Sequence, residues 1–223
     1  MAGKRSQLAV DYRRLNAQSS VVLFDSIGKK RKIGPYYEAE RIIQRRIRRH
    51  DYEYLIKWRG WPLEDCSWEP SENLTPDLLR SFSNPIRPTD EKLQEASCQF
   101  VTGIHSALKS SSVSPIYVSM QLDVWRFIIF NRGTQSEHRG HLLFKQEDFT
   151  NFKWLPEYWW YFLNLHGEGY AVDFPIKIKH LLSWSSEHFV KKDGKLTKGK
   201  RFPLEKLCIT VVKKPCNFNN LHA

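Results

Sequence analysis

The string Trp58-Arg-Gly60-Trp61-Pro62 is the strongest constraint on how this chain can fold. It follows directly on Tyr52-Glu-Tyr-Leu-Ile-Lys-Trp58, where side-chain character alternates with the period of a strand. A glycine and a proline so close together cannot both continue a sheet, so the strand must stop and the chain must turn. An earlier alternation sets Ala39, Arg41, Ile43 and Arg45 against Glu40, Ile42 and Gln44. It supplies a partner strand, and the polar turn around Arg49-His50-Asp51 joins the two. Ser67-Trp68-Glu69 is long enough for a third short strand, which Pro70 ends. Thr75-Pro76-Asp77 then opens a helix, because Thr75 can cap, Pro76 suits the first helical position and Asp77 complements the dipole. Leu78, Leu79 and Phe82 give that helix an apolar face, and Asn84-Pro85 stops it. Residues 35–84 are therefore expected to form a small complete unit of three antiparallel strands and a C-terminal helix.

The whole chain has 223 residues, enough for one ordinary domain or two small ones. Its 41% apolar and 26% charged content argues against global disorder. Apolar runs such as Trp125 to Phe130 fall far short of the ~18 residues a membrane span needs. No apolar stretch follows the basic residues at the N-terminus, so no secretory signal is expected. Cys66, Cys98, Cys208 and Cys216 are scattered without a C-x-x-C pair, which predicts free thiols in a reducing compartment. The net charge of +11 is unevenly placed. Residues 1–36 carry eight Lys and Arg against two Asp and Glu, and residues 37–83 carry eight against nine. From Lys177 to Lys214 there are eleven against three. Two basic regions flanking a near-neutral unit point to a polyanion, most economically DNA or RNA. The cluster Lys29, Lys30, Arg31 and Lys32 ends a basic, mobile arm expected over residues 1–34, and it also fits a nuclear-import signal.

Taken together, the strings Tyr37-Glu-Ala-Glu40-Arg-Ile-Ile43, Tyr54-Leu-Ile-Lys57-Trp58-Arg-Gly60-Trp61-Pro62, and Trp68-Glu69-Pro70 with Asn73-Leu74 resemble a chromodomain of the heterochromatin-protein, Polycomb and suppressor-of-variegation type. The resemblance implies a methyl-lysine cage made by Tyr37, Trp58 and Trp61, with Glu64 or Asp65 adding negative charge. The chemistry is apt: a trimethylated lysine has lost its hydrogen-bond donors but remains a cation that aromatic faces can surround. Neighbouring Tyr36 competes with Tyr37, and the spacing to Glu40 favours Tyr37. Trp68, by contrast, reads as a core residue. The resemblance further implies that a histone tail adds as a strand between residues 36–41 and 69–75. Tyr36, Glu38, Ala39, Glu40, Glu69, Asn73 and Thr75 are the peptide-binding positions it implies. Ala39 would line the pocket for the alanine of an A-R-K-S motif in histone H3, the lysine-nine site being favoured. Tyr36 and Thr75 fall at the clasp and match neither the acidic nor the apolar clasp of the family.

Beyond the small unit, residues 85–114 read as a linker holding one amphipathic helix, roughly Asp90 to Leu108. Residues 115–218 read as an aromatic-rich α+β region of unknown fold. Within it, a strand or hairpin is expected over Ile116 to Phe130, helices over Pro156 to Leu165 and Pro175 to Val190, a tight turn at Asp193-Gly194 and a buried strand over Leu207 to Val212. The aromatic stretch from Trp154 to Phe162 suits core packing, and a peptide groove is the alternative. Glu137-His138-Arg-Gly-His141 has no third ligand within reach, and Gly167-Glu-Gly169-Tyr170 lacks the setting of a nucleotide loop. The basic segment from Lys191 to Arg201 is a solvated turn or a DNA or RNA contact. No catalytic residue, cofactor or metal ligand is expected. The chain reads as a nuclear, non-catalytic chromatin reader linked to heterochromatin and transcription repression. The alternative is a truncated or divergent relative of histone-lysine methyltransferases whose chromodomain targets an unrecognised C-terminal activity. Against it, four scattered cysteines cannot build a three-zinc cluster, and no N-H-S-C string is present.

Overall fold

The computed structural model describes residues 37–217 except Trp154, Glu157, Tyr158 and Asp193. Its elements are α+β throughout, and the chain divides into two compact units, with the boundary between Ser83 and Asn84.

In the first unit, β1 (Ala39–Arg48), β2 (Asp51–Trp58) and β3 (Ser67–Pro70) form an antiparallel sheet in the order β1-β2-β3. Arg48 pairs with Asp51, so the β1–β2 turn is the dipeptide Arg49-His50, and both residues have positive φ, 49° and 77°. β1 shifts register between Ile42 and Gln44, and this lets both Ile42 and Ile43 be buried, where strict alternation would expose one of them. Helix α1 (Pro76–Ser83) follows, with Thr75 Oγ1 accepting from the Leu78 N–H at 3.3 Å as its cap. Leu78 of α1 joins Ala39, Ile42, Tyr54, Ile56, Trp58 and Leu74 in one apolar cluster, with Leu79 and Phe82 packed against it.

The second unit begins with α2 (Asp90–Lys109), capped by Thr89. The amphipathic helix expected over Asp90 to Leu108 is present, and instead of lying in a linker it belongs to the core. Leu93, Ala96, Phe100, Ile104 and Leu108 recur at helical spacing, and all are buried in the cluster that holds the unit together. Phe100 stands 5.0 to 6.2 Å from the ring centres of Phe152, Phe149, Trp159 and Trp125, so the centre of this core is aromatic. Gly103 lets α2 approach the sheet, since a Cβ at that position would overlap Val118 Cγ2. The sheet runs β4 (Ile116–Ser119), β11 (Pro203–Asn217), β8 (Glu168–Trp184), β6 (Leu142–Phe144) and β5 (Thr134–Gln135), and β7 (Trp160–Phe162) also pairs with β8. α3 (Leu122–Ile128) follows β4, so the segment expected as a strand or hairpin is a strand and then a helix.

Where the two C-terminal helices were expected, the described residues form strands and connecting segments. In β8 the residues Ile176 and Ile178 are buried while Lys177 and Lys179 are less so, the period of a strand, and β11 covers its edge by long antiparallel pairing. The Pro156 to Leu165 stretch contains β7, whose consecutive aromatics suit a pleated surface; Trp159 is buried, as core packing requires. Gly167 and Gly169 lie at the β7–β8 turn, where Asn164 Oδ1 accepts from the His166 and Glu168 N–H groups at 3.0 Å. β9 (Phe189–Lys192) and β10 (Lys195–Lys198) make a separate two-stranded hairpin, with Gly194 in its turn at a φ of 78°. The buried strand expected over Leu207 to Val212 lies within β11. No described helix is long and apolar enough to cross a membrane.

Candidate functional site

At the mouth of the first unit, the start of β1 and the end of β2 lie side by side. Ala39 pairs with Trp58, and the Arg59 N–H donates to the Glu38 carbonyl at 2.8 Å. Gly60 then takes a left-handed φ of 76°, open to glycine at little cost, and the Trp61 N–H bonds back to the Trp58 carbonyl at 3.3 Å. This turn returns the Trp61 ring toward Tyr37. Tyr37 stands 5.5 Å from Trp61 at 86° and 6.2 Å from Trp58 at 64°, both edge-to-face. With Asp65, the three rings line a cavity of about 220 Å³. Of the two acidic candidates on the following loop, Asp65 lines the cavity and Glu64 does not.

The rings differ in how firmly they are held. Tyr37 and Trp61 are 38% and 46% exposed, whereas Trp58 is only 8% exposed and belongs to the apolar cluster. Trp58 is both core and cavity wall. Its Nε1 donates to Ser67 Oγ at 3.1 Å, Ser67 donates to Glu69 Oε1 at 2.6 Å, and Asn73 Nδ2 donates to Glu69 Oε2 at 3.3 Å. Ser67 was not singled out from sequence, although its place directly before Trp68-Glu69 on a short strand was the available signal.

The remaining expected residues are placed as follows. Ala39 is buried, Glu38 is 3.0 Å from Arg59, and Glu40 is 2.8 Å from Lys57. Lys57 also donates to the Trp58 carbonyl at 2.8 Å, which fixes the end of β2. Thr75, expected at the clasp, is only 1% exposed, and its hydroxyl caps α1. Trp68, expected in the core, is half-buried and carries the Arg46 guanidinium over its ring at 4.0 Å, outside the cluster. Tyr36 and the cluster Lys29, Lys30, Arg31 and Lys32 lie outside the described residues. The described residues contain no group of three or more His, Cys, Asp or Glu placed to hold a metal.

Residues 37–84 match the family model of the Chromo (CHRromatin Organisation MOdifier) domain. This part of the chain is a chromodomain. The chain is similar to chromobox protein homolog 6 of Mus musculus, 53% identical over 52 residues, which is 23% of this chain and 13% of that protein. It is 46% identical over 77 residues to chromobox protein homolog hpl-1 of Caenorhabditis elegans, covering 34% of this chain and 42% of the relative. With Heterochromatin protein 1 of Drosophila melanogaster the identity is 35% over 78 residues, 34% of this chain and 35% of the relative. The matched part is thus less than half the length of each of these relatives. The region after the chromodomain matches no family model.

Proposed function

We propose that the chromodomain binds a trimethylated lysine in a histone H3 tail of A-R-K-S context, and that the chain is a non-catalytic chromatin reader acting in the nucleus, in heterochromatin and repression. One observation carries this reading: three converging aromatic rings and the Asp65 carboxylate around one small, open cavity. Ring faces attract a cation that can no longer donate hydrogen bonds, and a carboxylate at the rim adds to that attraction. The tail would lie as an added strand beside Glu38 to Arg41 and Glu69 to Asn73, with the buried methyl of Ala39 forming the floor under a small side chain. The lysine-nine site is the favoured one.

Calorimetric titration of the full chain with A-R-K-S peptides, unmodified and trimethylated, tests the reading. Binding of the trimethylated peptide at least about tenfold tighter supports it, as one desolvated cation–π contact is worth about 2 kcal/mol. Equal binding of the two peptides would overturn it.

A further inference from the structure

The second unit contains a cavity of about 420 Å³ that methyl-lysine reading leaves unused. Trp125 of α3, Phe144 of β6 and Ile178 of β8 make its apolar floor. Ser136, Arg139 and His141 from the β5–β6 loop, with His180 of β8, make its polar rim. The size suits a small organic ligand, and an apolar floor with a few convergent polar groups is how such sites are usually built.

The loop is already organised. The Ser136 N–H donates to the His141 carbonyl at 3.2 Å, the His141 N–H to the His138 carbonyl at 3.0 Å, and the His138 N–H to Ser136 Oγ at 3.3 Å. No acidic side chain lines the cavity. Arg139 is exposed and has no ion-pair partner among the described residues. Lys177 Nζ lies 3.3 Å from His138 Nδ1, so that ammonium group sits against the same loop. Most telling, His141 Nδ1 is buried without a hydrogen-bond partner among the described residues. A buried polar atom left unpaired is unfavourable until something pairs with it. His180 stands on the far wall. Crowding of the ring, and then the charges of Arg126 and Lys179, hold His180 below its ordinary pKa of 6.5.

We propose that this cavity is a binding site for a phosphate monoester of nucleotide size. Its flat body lies on the floor made by Trp125, Phe144 and Ile178, and its phosphate meets Arg139, His141 and the Ser136 hydroxyl. A guanidinium fork suits phosphate oxygens, an imidazole N–H adds a second direction, and the hydroxyl can donate a third bond. A phosphate suits a rim that carries Arg139 and no carboxylate, with the Lys177 ammonium group against the same loop. The site stands apart from the chromodomain, and the reading of Tyr37, Trp58 and Trp61 does not enter the argument.

The test is calorimetric titration of the full chain with AMP, adenosine and inorganic phosphate. AMP should bind, with adenosine and inorganic phosphate each at least roughly tenfold weaker, because each lacks one half of the recognised chemistry. Arg139→Gln and His141→Asn should each weaken AMP binding by roughly tenfold, the scale of a charge-assisted bond, with unchanged circular dichroism. Arg139 is on an exposed loop, so its variant keeps the test valid even if His141→Asn perturbs folding. Absence of AMP binding, equal binding of adenosine, or an Arg139→Gln chain that binds AMP as wild type would each overturn the proposal.

Discussion

Trp58 donates its indole N–H to Ser67 Oγ at 3.1 Å, tying a wall of the aromatic cavity to the strand that carries Glu69. Binding and stability therefore separate at Trp61 and merge at Trp58. Trp61→Ala should weaken trimethyl-lysine peptide binding by about 2 kcal/mol while leaving the melting temperature within about two degrees of wild type. Trp58→Ala should lower both, with a stability loss of about 3–5 kcal/mol from the emptied core. Paired thermal melts and peptide titrations check the contrast, and a Trp61→Ala chain that binds normally removes that ring from the cage.

The Arg49-His50 turn holds two non-glycine residues at positive φ, a conformation that asparagine and glycine adopt more readily. Replacing the pair with Asn-Gly should stabilise the first unit by about 1 kcal/mol, because left-handed backbone costs ordinary residues about that much. Urea unfolding at constant m-value measures the gain.

Gly103→Ala should destabilise the second unit by about 1–3 kcal/mol, the usual cost of overpacking, even though alanine favours helices. The new methyl would collide with Val118 Cγ2 of β4. Adding Val118→Ala to the same chain should recover part of the loss, and a double-mutant cycle reads the coupling.

His180 predicts a pH dependence. Its folded pKa lies below 6.5, first through crowding of the ring and then through Arg126 and Lys179. Over the window from the folded value up to the unfolded one, the unfolded chain binds more protons, so stability rises with pH. The stabilisation is fully present above 6.5 and is lost as pH falls through that window. In His180→Gln the melting temperature of the second unit should depend less on pH between about 5 and 7.

The β9–β10 hairpin exposes Lys191, Lys195 and Lys198 beside Phe189 and Leu196, which are 66% and 74% exposed. If this hairpin is the DNA contact expected from sequence, neutralising the three lysines reduces the salt slope of binding by about 2.7, at roughly 0.9 per phosphate contacted. Titration of DNA at several salt concentrations checks it, and an unchanged slope makes the hairpin a solvated turn.

The first unit was legible because its signals are local. Alternation in Tyr52 to Trp58, the break at Gly60 and Pro62, and the cap at Thr75 each act within a few residues. The second unit depends on partners far away in sequence. The alternation of Ile176 and Ile178 with Lys177 and Lys179 was present in β8, but its pairing partner β11 starts only at Pro203, and Leu181-Leu182 blurs the period. The apolar face of α2 was readable, whereas its destination against Trp125, Phe149 and Phe152 was not. At the candidate site the three ring positions followed from motif, but motif could not say that Trp58 would belong to the core as well.

Pairing between β8 and β11 closes at Trp184 and Pro203, and one further backbone bond, Ser185 N–H to the Phe202 carbonyl at 2.8 Å, seals the end. Everything from Glu187 to Lys200 lies outside that ladder. Residues can be gained or lost there in steps of any size without moving a single pair in the sheet, since a longer closed loop adds only slowly to the entropy cost. This tip is where a change of chain length disturbs the sheet least, and so where the chain can alter what it touches without altering its core.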